Sequence, residues 1–175
     1  MLSNMSKSEF ILLIPGIIYG VAMVDLLKIF RQARPYWEIV GWGIALFFNL
    51  IVSWFGLYDK LEIVSSNIAY FTIYLLSPLL FAQSVFVLTP EENDKDTKKY
   101  FLDNQKPFFT LYLSFMIINS ILSTIISENA MFMYMRGIAI IPFIFVIFYP
   151  KIWLRAAILG LYFIFAAIIF YDSLM

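Results

Sequence analysis

Polar and apolar positions along this chain alternate on the scale of whole helices rather than single turns. A helix needs about 20 mostly apolar residues to cross roughly 30 Å of hydrocarbon, and stretches of that kind lie at residues 10–30, 39–57, 63–88, 108–127, 130–149 and 152–171. The second, third and fourth carry no charge at all; the first holds Asp25 and Lys28 near its end, the fifth Arg136 and the sixth Arg155. Tyr149-Pro150-Lys151 separates the last two, because proline cannot continue a helix and one uninterrupted helix there would be far too long for a bilayer. The run from Phe10 to Val24 has the length of a signal-peptide core, but no small-x-small cleavage site follows, so it reads as a retained span. The pattern predicts an all-α fold: one polytopic transmembrane helix bundle of about six spans.

Composition supports the lipid bilayer as the solvent. At 62% hydrophobic and 14% charged, the chain lies well outside the roughly 45–50% apolar and 25% charged of ordinary soluble domains. Twelve basic and twelve acidic residues cancel, leaving no electrostatic footprint for nucleic acid. The absence of cysteine and histidine excludes thiol nucleophiles, Ser-His-Asp chemistry, HExxH zinc sites and histidine-based switching. No GxSxG, paired intramembrane aspartates or phosphate-type glycine loop is present, so neither an enzyme nor a cofactor or metal site is expected.

Charge placement predicts orientation. Lys28, Arg31, Arg34, Lys95, Lys98, Lys99, Lys106, Lys151 and Arg155 flank the first, third and fifth loops, against Lys7, Lys60 and Arg136 on the other side. The positive-inside tendency then makes the odd loops cytoplasmic and leaves both termini outside. Tyr36, Trp37, Trp42 and Trp153 fall at the expected inner interface, and Trp54, Tyr58 and Tyr171 at the outer one. The one sizeable polar segment, Thr89 to Pro107, opens with the capping-box pattern Thr89-Pro90-Glu91-Glu92 and closes at Pro107. It predicts a short amphipathic cytoplasmic helix between spans three and four, stabilised by Glu91–Lys95 and Asp94–Lys98, with Tyr100, Phe101 and Leu102 against the bilayer surface. This segment is either a solvated connector or a docking surface for a cytoplasmic partner.

Ionisable and polar groups at membrane depth are the candidates for function. Asp25 could take a proton or cation, or anchor the interface by pairing with Lys28 or Arg31. Arg136 could clamp an anion, pair with Glu9, Glu128 or Asp172, or snorkel outward. Glu38 and Arg155, at the inner ends of the second and sixth spans, are expected to form a structural ion pair. Gln83, Asn119, Ser120, Ser123, Thr124 and Ser127, with Asn49, could line an outward vestibule. Gly41, Ala45, Asn49, Ser53 and Gly56 form a stripe at helical spacing on the second span. Gly16 and Gly20, then Ala156 and Gly160, repeat the small-xxx-small theme that lets helices approach closely. Pro15, Pro78 and Pro142 are candidate helix breaks.

Two function classes remain open on these grounds. The first is a small transporter, or an ion channel around the axis of a homo-oligomer, in which an inverted three-plus-three repeat is a topological option despite no residue-level similarity between the halves. The second is a non-transporting sensor, anchor or effector subunit acting through a partner. The excess of Ile, Phe and Lys points to an AT-rich bacterial source, hence a bacterial inner membrane. Convergence of Asp25, Asn49 and Arg136 on one cavity would favour the first class, and burial in protein packing the second.

Overall fold

The computed structural model describes residues 7–32, 34–91, 96–126 and 130–172, apart from the side chains of residues 7–10, 55, 57–63, 123, 125–126, 130–137 and 169–172. Among these residues the fold is all-helical: α1 Lys7–Arg31, α2 Trp37–Ser66, α3 Ile68–Leu88, α4 Thr97–Ile126, α5 Ala130–Phe148 and α6 Ile152–Asp172. By length and composition, three helices are able to cross a membrane, at Ile11–Arg31, Trp37–Trp54 and Ile68–Leu88. Ile138–Phe148 and Ile152–Ile168 are shorter apolar stretches among the described residues.

Two boundaries differ from the sequence expectation. α2 does not stop at Leu57 but continues through Asp59, Lys60 and Glu62 to Ser66. The chain reverses at Asn67, whose extended backbone and side-chain oxygen, accepting from the Ala69 N–H at 2.8 Å, start α3. Charged residues are compatible with a helix once it has left an apolar layer, whereas an Asn N-cap is a local instruction to begin a new one.

The second difference is the connector. No separate short helix begins at Thr89, and Pro107 does not end one: α4 starts at Thr97 and runs through Pro107 to Ile126. Thr89 instead closes α3, its hydroxyl bonding back to the Val85 carbonyl at 2.9 Å. Asp96 starts α4, its side chain accepting the Lys99 N–H at 3.0 Å. Glu92, Asp94 and Lys95, and with them the expected acid–base pairs, lie outside the described residues. Pro107 withholds only one N–H, which a long helix packed along its length tolerates. Pro15, Pro78 and Pro142 likewise lie inside continuous helices α1, α3 and α5.

Packing brings α3 against α4 and α1 against both α2 and α3, with α5 on α4 and α6 on α2. The interior is a column of aromatic rings. Trp42 is fully buried and meets Phe109 edge-on, with centroids 5.1 Å apart, and Phe108 and Phe143 at 5.8 Å each. Tyr112 stacks on Phe115, which meets Phe81, which meets Tyr19 at 5.5 Å. Edge-to-face and offset contacts of this kind each add roughly 0.5–1.5 kcal/mol beyond area burial. Trp42 therefore belongs to the core and not to the interfacial belt, and Phe101, expected at the bilayer surface, is buried beneath Tyr36.

Candidate functional site

At the end of the bundle where α2 and α6 begin, a charged cluster is sealed inside protein. Arg155 reaches from the first turn of α6 to Glu38 in the first turn of α2, Nε to Oε2 at 2.6 Å and Nη2 to Oε1 at 2.9 Å. Relative exposures of 3% and 1% show that neither charge meets solvent. The fork is completed by Nη1, which donates to Gln105 Oε1 of α4 at 2.7 Å and to the Pro150 carbonyl of the α5–α6 turn. Tyr36 donates its hydroxyl to Glu38 Oε1 at 2.6 Å, and the Phe101 ring lies 5.6 Å from the guanidinium carbon. Bidentate geometry with every arm occupied is the condition under which a buried pair offsets its desolvation. Burial, followed by the hydrogen bond to the Glu38 carboxylate, raises the pKa of the Tyr36 hydroxyl, so it remains a donor.

Local sequence explains why these groups meet. Pro35 keeps the chain extended before α2, and the Tyr36 backbone N–H is taken by the Thr97 hydroxyl at 2.9 Å. Thr97 also donates to the Arg34 carbonyl at 3.1 Å, fastening the start of α4 to the start of α2. Tyr100, one turn later, donates to the Val87 and Thr89 carbonyls and ties in the end of α3.

Two more polar nodes lie deeper. Asn49 donates to the Tyr112 hydroxyl and at 3.3 Å to the Ala45 carbonyl, which also accepts from the Tyr162 hydroxyl at 3.1 Å. Further along, Ser77 donates to Asn119 Oδ1 at 2.9 Å. Ser120 and Thr124 bond back to carbonyls of their own helix.

Among the described side chains, the candidates from sequence do not gather. Asp25 pairs with Lys28 at 2.6 Å on the outside of α1; Gln83 faces outward from α3. Asn49 and Asn119 lie in separate nodes. Arg136 belongs to α5, but its side chain lies outside those described. The Glu38–Arg155 pair forms as expected. Tyr36, expected only as an interfacial ring, joins the charged cluster; Tyr19, Tyr112 and Tyr162 carry no signal in the sequence beyond a tyrosine where phenylalanine would suit lipid equally well. Among the described residues no three Asp or Glu side chains assemble as a metal site.

Of the small residues, Gly41 marks a close crossing: a Cβ there would lie 2.5 Å from Leu159 Cδ2 of α6. Gly16 faces Trp54, and Gly43, absent from the predicted stripe, faces Ile29, each at 3.3 Å. Ala45 is buried, while Ser53 and Ala156 are half-buried. Gly20, Gly56 and Gly160 have nothing within 4 Å of an added Cβ and so mark no close crossing.

Comparison with protein-family models, with curated proteins and with solved structures gave no match.

Proposed function

We propose that the chain is a six-span integral membrane protein that does not conduct, and that it serves as an anchoring or effector subunit working through a protein partner. The observation that carries this reading is the use to which deep polar groups are put. Asn49, Ser77, Asn119, Glu38 and Arg155 bond to other protein groups across helices, and an aromatic column runs between them. A transport pathway calls for polar side chains facing a passage, whereas Asp25 is paired on the surface and Gln83 points away.

Six crossings are supported by helix length. At about 1.5 Å per residue, helices of 19 to 30 residues span roughly 28–45 Å. Tying the starts of α2, α4 and α6 into one cluster fits helices that traverse the layer in alternation. With the basic residues of that end cytoplasmic, both termini lie outside, in what we take to be a bacterial inner membrane. The exposed part of α4 from Lys98 to Asp103 is the surface offered to a partner.

Flux from liposomes containing the purified chain tests the reading. The expected result is no protein-dependent movement of protons, monovalent cations or anions. Flux that Asp25→Asn or Arg136→Gln abolishes, with folding intact, would replace this proposal with a transporter or channel.

A further inference from the structure

The end of the bundle that holds Glu38 and Arg155 also presents a built tip. In the α5–α6 turn the Lys151 N–H donates to the Tyr149 carbonyl at 2.7 Å, while Arg155 holds the Pro150 carbonyl from within. Outward from this fixed turn stand Phe148, Tyr149, Ile152 and Trp153, with Tyr149 and Trp153 61% and 63% exposed. Trp37, at the start of α2, adds a further exposed indole at the same end. A rigid turn that displays rings around an exposed lysine matches the headgroup level of a bilayer, where an apolar ring body and a polar edge are both satisfied.

Charge selects the lipid. Lys151 and Lys106 are exposed, and neither forms an ion pair with a described residue. Gln105, the neighbour of Lys106, is bonded to Arg155, and the Lys151 carbonyl accepts the Arg155 N–H, so the two lysines border one cluster. Arg155 itself is fully engaged and adds no free charge. Among the described residues at this end, the exposed basic residues Lys28, Arg31, Arg34, Lys98, Lys99, Lys106 and Lys151 outnumber the exposed acids Glu91, Asp96 and Asp103.

We propose that the α5–α6 tip binds the headgroups of anionic phospholipids, with Lys151 and Lys106 toward the phosphate and Tyr149 and Trp153 at the glycerol level. This rests on the membrane reading above, and the test separates the two. The full chain carrying Trp37→Phe and Trp54→Phe leaves Trp153 and the buried Trp42 as emitters. It is placed in liposomes of one composition, phosphatidylcholine with a minority of phosphatidylglycerol, brominated on the same acyl carbons of either one lipid or the other.

Per mole of brominated lipid, the anionic form is expected to quench Trp153 more strongly. About fivefold local enrichment corresponds to roughly 1 kcal/mol for one basic residue at an anionic surface. Lys106→Gln with Lys151→Gln is expected to bring the two lipids to equality, with helix content unchanged. Equal quenching in the chain that keeps both lysines would overturn the lipid preference while leaving the membrane reading intact. A preference that survives loss of both lysines would overturn their assignment. Absence of quenching by both lipids would remove the membrane placement of this end as well.

Discussion

Arg155 Nε lies 2.6 Å from Glu38 Oε2, joining helices whose first turns are 117 residues apart in sequence. Since both groups are buried, removal of one strands the other in a region of low dielectric, a loss of about 3–5 kcal/mol. Glu38→Ala and Arg155→Ala should each lower the melting temperature of the purified chain sharply. Glu38→Leu with Arg155→Met should recover much of that loss, because an apolar pair of similar volume leaves no orphan charge. If the double variant melts no higher than either alanine variant, the pair is not an independent unit.

Asn49 and Tyr112 should be coupled. Interhelical hydrogen bonds of this kind contribute about 0.6 kcal/mol on average and reach about 1.7. Asn49→Ala and Tyr112→Phe should each destabilise modestly, with the double variant losing less than the sum. Strict additivity in a double-mutant cycle would show that the bond between them carries no energy.

Gly41 and Gly20 should respond in opposite directions to the same substitution. An alanine at 41 drives Leu159 off its position, and overpacking of this order costs roughly 1–3 kcal/mol. At position 20 there is open space, so alanine should stabilise by up to about 1 kcal/mol through helix propensity. Leu159→Ala should relieve the penalty at Gly41. Equal melting temperatures for Gly41→Ala and Gly20→Ala would contradict the crossing of α2 and α6.

The apolar runs are enough to place all six helices, because a stretch of some 20 mostly apolar residues leaves the backbone little alternative to bonding with itself. The Glu38–Arg155 contact was also legible, as two charges at matching ends of apolar stretches. What could not be read was which face of each helix turns inward. On a helix apolar all round, periodicity carries no direction, so Trp42 resembled a belt residue and Gln83 a lining one. Only packing distinguishes the buried ring of Trp42 from the exposed ring of Trp37. The connector failed for a different reason: Thr89-Pro90-Glu91-Glu92 matches a helix start, but the hydroxyl it would have used already closes α3.

The proposed function requires the chain to cross the membrane six times around an interior filled by its own side chains. The chain has no cysteine, so single cysteines placed at Lys98, Lys151, Asn67 and Asn49 can be offered a water-soluble, membrane-impermeant maleimide from each side of sealed vesicles. The account predicts that Lys98→Cys and Lys151→Cys react from one side, Asn67→Cys from the other, and Asn49→Cys from neither. Reaction of Lys151→Cys and Asn67→Cys from the same side, or ready labelling of Asn49→Cys, would contradict it.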